Sequence, residues 1–300
     1  MKNIAPIIKG LLLIFILFTL PMILPAGNWE ESAIGRTAIF RMENAPYPDS
    51  SRADGYTRQD EFYPAEIHYS DPSVAVFIPR KFQSGEAVNL LFYFHGHNNN
   101  VRKSLDNFNL RKMVASSEKN VILVFPQGPK DSRDSGCGKL EAENGFTNLV
   151  EEILDSLKTE GIIEHQELGR IILSGHSGAY KVIGRILKQG GLTEKISEVY
   201  LLDATYGQLN EYLEWVTSDE TARLVSIFTD HLALENVILM KWLSRNNMPY
   251  LLLAEEEVQP VDLQSRILFL HAENLTHGET VNWLERVLGS STLPNKILYI

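Results

Sequence analysis

The chain has a single cysteine, Cys137, so no intramolecular disulfide can form. No cysteine follows the apolar run near the amino terminus, which excludes a bacterial lipoprotein anchor. Lys and Arg form no cluster large enough to offset a formal net charge of −10. A uniformly acidic chain repels phosphate backbones, so nucleic acid is not an expected partner. Neither an internal repeat nor a low-complexity tract follows the leader.

What is there is ordinary soluble composition, 44% hydrophobic and 22% charged over 300 residues. That is enough for one large domain whose core needs neither disulfides nor metals. The first 27 residues differ. Lys2 and Lys9 flank a basic start, Gly10–Leu24 is almost wholly apolar, and Pro25-Ala26-Gly27 supplies small residues. This order predicts a secretory signal peptide over 1–27 and an exported, periplasmic or secreted, protein. The alternative is an uncleaved membrane anchor, because Leu24 is large for a cleavage site; membrane contact is expected only in that case. Against it, the run is short for a span of about 20 residues and Pro21 interrupts it.

Residues 28–300 are expected to form one domain, with 28–61 as an irregular lead-in carrying one strand near Thr37–Met42. Beyond it, short apolar runs alternate with helical patterns. Val74–Pro79, Leu90–Phe94, Val121–Phe125, Ile171–Leu173, Val199–Leu202, Leu224–Phe228 and Ile267–Leu270 suit strands buried on both faces. Phe146–Leu157, Ala179–Lys188, Leu209–Val216, Leu232–Leu243 and Val281–Leu288 carry helical spacing. The alternation predicts an α/β fold with a mostly parallel, doubly wound sheet flanked by helices. Functional residues of such sheets sit at the carboxyl ends of the strands. The Gly, His, Asp and Ser residues of this chain collect there.

Ser177 lies in Ser174-Gly-His-Ser-Gly-Ala179, between an apolar strand and an amphipathic helix. A serine at so tight a turn is exposed and strained, and Gly175 and Ala179 give strand and helix room to pack around it. The helix amino terminus favours developing negative charge. Read blandly, Ser177 only caps that helix. The string Gly-His-Ser-Gly-Ala resembles the G-x-S-x-G nucleophile elbow of the α/β-hydrolase superfamily, with Ala179 in place of the last Gly. Phe94-His95-Gly96-His97 resembles the H-G motif after the superfamily's third strand. Carried over, the oxyanion donors are the N–H of Gly178 and that of Gly96 or His97. The other reading of His95 and His97, a metal pair, lacks a nearby carboxylate.

In the same resemblance, His277, in Leu275-Thr-His-Gly-Glu-Thr280 after the last strand, takes the place of the general base. His271 and His231 are rivals, His271 reading better as a satisfied core histidine. For the acid, Asp230 ends the strand most often used and is the first choice; Asp203, one strand earlier, is the second. Glu255–Glu257 reads as a solvated loop, and Cys137, in a turn-like stretch, as an incidental thiol. More widely, Phe-His-Gly-His-Asn-Asn, Phe-Pro-Gln-Gly-Pro, Asp-Ser-Gly-Cys-Gly-Lys-Leu-Glu, Leu-Leu-Asp-Ala-Thr-Tyr-Gly and Thr-His-Gly-Glu-Thr are similar to a group of bacterial α/β hydrolases of poorly defined function. They span roughly 74–288.

The resemblance implies a serine hydrolase that cleaves a carboxylic ester, small or polymeric, through an acyl-enzyme on Ser177, with no cofactor and no metal. An amide or peptide substrate is the neighbouring alternative. A catalytically inactive binding protein on the same fold is the alternative from another class. Gln127–Asn144 and Thr205–Gly207 are expected to border the pocket.

Overall fold

The computed structural model describes residues 28–296. The expected signal segment lies outside them. Among the described residues no helix is long and apolar enough to cross a membrane.

Ten strands form one sheet. Along the chain they are β1 (Glu30–Ser32), β2 (Gly35–Arg41), β5 (Ser73–Pro79), β6 (Ala87–Phe94), β7 (Ile122–Pro126), β8 (Glu167–His176), β9 (Ile196–Leu202), β10 (Arg223–Phe228), β11 (Leu251–Ala254) and β12 (Ile267–His271). Two more, β3 (Tyr56–Arg58) and β4 (Glu61–Tyr63), make a separate hairpin. The order across the sheet is β1-β2-β5-β7-β6-β8-β9-β10-β12-β11. From β7 to β11 every pairing is parallel, and only the β1, β2 and β5 side is antiparallel.

Successive residues of a strand point to opposite faces, and both faces are covered. Leu90, Phe92, Leu173 and Leu201 join a core with α4 (Gly145–Thr159), α5 (Tyr180–Gln189), α6 (Leu209–Ser218) and α7 (Ala233–Arg245). Leu91, Tyr93, Ile172 and Leu202 join the opposite core, with α2 (Val101–Asn107), α3 (Leu110–Ser116) and α8 (Leu284–Gly289). A one-residue slip of any central strand would exchange its two sets of side chains between these cores, so register is strongly specified. A short helix, α1 (Ala65–His68), precedes β5.

The seven apolar runs are all strands and the five helical patterns all contain helices. The last pattern divides into a 3-10 segment, Glu279–Trp283, and α8. The lead-in is more ordered than its composition suggests. It holds β1, β2 and β3, and its Pro- and Gly-rich remainder turns back over the carboxyl end of the sheet.

The chain runs from β6 outward to β7, then crosses back to place β8 on the other side of β6. A doubly wound sheet opens its ligand crevice at that switch point. Here the loop after β6 begins with His95-Gly96-His97 and the turn after β8 begins with Ser177.

Candidate active site

Ser177 has φ +57°, in the left-handed region that a non-glycine residue enters only at a cost. The strain comes from reversing directly out of β8 into a 3-10 turn, Ser177–Ala179, that leads into α5. Crowding explains the small neighbours. A Cβ on Gly175 would fall 2.6 Å from that of Ala179 and 2.8 Å from Ile183 Cδ1. A Cβ on Gly96 would fall 2.5 Å from Ser177 Cβ and 3.0 Å from its hydroxyl oxygen, so the loop after β6 lies directly on the serine. A Cβ on Gly178 would fall 2.8 Å from the ring of His97. Ser177, Gly96, His97 and Gly178 are therefore one cluster.

His277 reaches this cluster from the loop after β12. Its ring lies 4.3 Å, centre to centre, from that of His176, the residue before the serine. His176 Nε2 donates to the His277 carbonyl at 3.0 Å, and Thr280 Oγ1 donates to the same oxygen at 2.8 Å. His277 Nδ1 is 2.7 Å from Asp203 Oδ2. With Nδ1–H given to the carboxylate, the lone pair is on Nε2, the tautomer a general base requires.

The carboxylate beside His277 thus belongs to Asp203, not to Asp230, the first choice from sequence. Asp203, fully buried just after β9, has φ +50°, again in the left-handed region. It also accepts from Thr229 N and Thr229 Oγ1, both at 2.9 Å. Burial pushes its carboxyl up, but the hydrogen bonds from His277 and Thr229 outweigh burial and hold it below the usual carboxylate range. At the end of β10 the residue facing inward is Thr229; Asp230 starts a 3-10 turn that carries it outward. The Asp230 side chain is 82% exposed and binds His271 Nε2 at 2.8 Å. His271 also meets Glu273 at 3.3 Å and stacks on Phe228, so it is a partnered histidine away from the serine.

His231, a rival base from sequence, extends the network. Thr229 Oγ1 gives its proton to Asp203, so at 2.6 Å it accepts from His231 Nδ1–H. His231 Nε2 then accepts the Tyr206 hydroxyl at 2.7 Å. Tyr206 lines the same cavity as Ser177. Asp203, His231 and His277 are also the one His and carboxylate cluster of metal-binding spacing among the described residues. Each of these three side chains is engaged in the network just described.

His95 is buried and structural. Gly128 N–H donates to its Nε2 at 3.2 Å, which leaves Nδ1–H to donate to the Gly96 carbonyl at 2.8 Å. Burial pushes its pKa down to about 4, and that of His176 likewise to about 4. His97 has the opposite tautomer: Nε2 donates to Ser135 Oγ at 2.9 Å, and Nδ1 faces Arg58 Nη1 at 3.4 Å. Cys137 is buried, and burial, aided by Glu141, pushes its thiol up, away from reactivity.

An open cavity of about 530 Å³ lies above Ser177. Asp134, Ser135 and Tyr206 line it, from the two segments expected to do so. Its remaining wall was not foreseen: Arg52, Tyr56 and Arg58 come from the lead-in and its hairpin. The available signal was Tyr56-Thr-Arg58 and Glu61-Phe-Tyr63, two alternating triplets around a two-residue turn.

No family model matches the chain, and no curated protein matches it. Solved structures do. A feruloyl esterase module from Clostridium thermocellum, complexed with sinapinate, superimposes with a TM-score of 0.50 at 11% identity, covering 88% of this chain and 93% of that one. An S-formylglutathione hydrolase from Staphylococcus aureus gives 0.46 at 13% identity, over 72% and 91%. An esterase from Pyrobaculum calidifontis gives 0.45 at 10%, over 74% and 81%. The chain therefore has the α/β-hydrolase fold, the fold that the elbow motif implied.

Proposed function

We propose that the protein is a serine hydrolase that cleaves carboxylic esters through an acyl-enzyme. Ser177 is the nucleophile, His277 the general base and Asp203 the acid. The observation that carries this reading is the left-handed Ser177 at a strand-to-helix turn, with His277 of the Asp203–His277 pair packed against His176, the residue before it. His277 Nε2 takes the serine proton as the hydroxyl oxygen bonds to the substrate carbonyl carbon. Asp203 steadies the resulting imidazolium, and His277 then protonates the leaving alcohol. Water, deprotonated by the same nitrogen, releases the acid and restores Ser177.

The oxyanion is received by the Gly178 N–H and a donor from the loop after β6. Between Gly96 and His97, the reading favours His97. His95 Nδ1–H holds the Gly96 carbonyl, and in a trans peptide the following N–H points the opposite way. His95 is thus a positioning residue for an oxyanion donor.

The test is labelling with a fluorophosphonate beside the Ser177→Ala protein, with 4-nitrophenyl acetate and longer esters assayed in parallel. The reading expects labelling that vanishes in the mutant, with turnover falling about a thousandfold or more. Equal absence of labelling in both folded proteins would instead favour a binding protein. We also propose that residues 1–27 direct export. Sequencing the amino terminus of the mature protein tests that, and an intact Met1 would overturn cleavage.

A further inference from the structure

The chain as a whole is acidic, yet the cavity above Ser177 is cationic. Arg52, Arg58 and Lys181 line it, and Asp134 is the one carboxylate among its lining residues. A charge of one sign gathered in a cleft, against the sign of the whole, concentrates ligands of opposite charge.

Two of the cations are occupied. Arg52 forks onto Asp134 through Nε at 2.7 Å and Nη2 at 3.2 Å. Lys181 meets Glu141 at 2.7 Å. Arg58 is different. Its Nη1 donates to the Arg133 carbonyl at 2.8 Å and approaches His97 Nδ1 at 3.4 Å. The acid across the hairpin, Glu61, is held by the Tyr63 hydroxyl. Among the described residues no carboxylate pairs with Arg58, and its Nε and Nη2 hydrogens have no protein acceptor. The guanidinium is therefore anchored through one nitrogen while its other donors are unspent. A carboxylate matches that free fork.

Position gives the fork its meaning. One imidazole ring, that of His97, separates Arg58 from Gly178, the residue after the nucleophile: a Cβ on Gly178 would lie 3.0 Å from His97 Nε2. An ester held at Ser177 reaches Arg58 with a few bonds of chain. Burial and then the Arg58 charge push the His97 pKa down, so His97 stays neutral and does not compete for the anion.

We infer that Arg58 recognises an anionic oxygen group of the substrate, and that the preferred ester carries a free carboxylate a few bonds from the scissile carbonyl. This rests on the serine-hydrolase reading, and deepens it.

Two matched pairs of probes test it, one for each side of the ester bond. On the acyl side they are 4-nitrophenyl hydrogen glutarate and its neutral methyl ester. On the alcohol side they are the butyrate ester of 4-hydroxybenzoate and that of methyl 4-hydroxybenzoate. The quantity read is the acid-to-neutral ratio of kcat/KM, at low salt and at about 0.5 M salt, where exposed charges are screened. Binding of the same probes to the Ser177→Ala protein is measured by calorimetry. In at least one pair the acid should be preferred roughly tenfold or more, as expected for one charge-assisted contact. The ratio should fall toward one in Arg58→Gln, and Arg58→Lys should keep part of it. Ratios near one in both pairs, or a preference that survives Arg58→Gln, would overturn the inference while leaving the hydrolase reading intact. Acid binding to Ser177→Ala that depends on Arg58, with no turnover of any probe by the unaltered chain, would keep the anion site and sink the hydrolase reading. Should Arg58→Gln fail to fold, the salt dependence and Arg58→Lys decide in its place.

Discussion

Two aspartate–histidine pairs stand at the carboxyl ends of neighbouring strands, alike in composition and contact length and different in surroundings. Asp203–His277 has a fully buried carboxylate, two further hydrogen bonds from Thr229, and a histidine packed on the residue before Ser177. Asp230–His271 has a carboxylate that is 82% exposed and a histidine that shares a second acid, Glu273. The contacts are equally short, 2.7 and 2.8 Å. Contact length therefore does not separate the buried pair from the surface ion pair. What separates them is the environment: low dielectric around one carboxylate, extra donors that fix it, and a histidine packed beside a strained turn.

That comparison can be broken or sharpened by substitution. Removing the base should have the largest effect: His277→Ala should lower kcat by about 10⁴-fold or more, as loss of a triad base does elsewhere. Crowding the elbow comes next. Gly96→Ala places a methyl 2.5 Å from Ser177 Cβ, and a shift of even 1 Å in the nucleophile should cost about 100-fold in kcat/KM. An unchanged rate would mean the loop after β6 does not bear on the serine as described. Smaller again is His231→Phe, which keeps an aromatic ring but removes the hydrogen bonds to Tyr206 and Thr229. At about 1 kcal/mol for each hydrogen bond, losing both should lower kcat by about thirtyfold at most, far less than the loss of His277. A loss as deep as that of His277→Ala would make His231 a rival base.

The smallest effect is on stability. His95 and His176 are held neutral, with pKa values near 4 in the folded chain, against about 6.5 when unfolded. Between those values the unfolded state binds protons that the folded state refuses. Their contribution is therefore full above about pH 6.5 and is lost as pH falls toward about 4. Melting temperature should decline across that window, and His176→Asn should flatten part of the decline. A curve unaffected by the substitution would show that His176 titrates normally.

The frame of the molecule was plain in the sequence because its central strands are buried on both faces, and continuous apolar runs such as Leu90–Phe94 leave little choice of structure. Sheet edges and short pieces were not. The strand β11, only Leu251–Ala254, follows a helix that ends in polar residues. Helices α2 and α3 are seven residues each and too short for a clear period. The hairpin of Tyr56–Arg58 and Glu61–Tyr63 was hidden in a stretch whose Pro, Ser and Asp content reads as irregular. Ser177, Gly96 and His277 were singled out through motifs that resemble those of a known family, and the structure lays Gly96 on Ser177. Which aspartate meets His277 was not legible. Asp203 and Asp230 both follow apolar strands, and only the left-handed backbone at Asp203 and the inward placement of Thr229 distinguish them. Those are tertiary facts. The cationic wall was invisible for a similar reason, since Arg52 and Arg58 are brought to the serine by a fold-back of the lead-in.

The most direct test compares Asp203→Asn with Asp230→Asn in steady-state hydrolysis of one 4-nitrophenyl ester, with circular dichroism to confirm that both fold. Asp203→Asn should lose about 10³- to 10⁴-fold in kcat, since an amide leaves His277 in the wrong tautomer. Asp230→Asn should stay within about twofold, as expected for an exposed pair. The reverse pattern, Asp203→Asn near full activity and Asp230→Asn crippled, would contradict the assignment of the buried pair to catalysis.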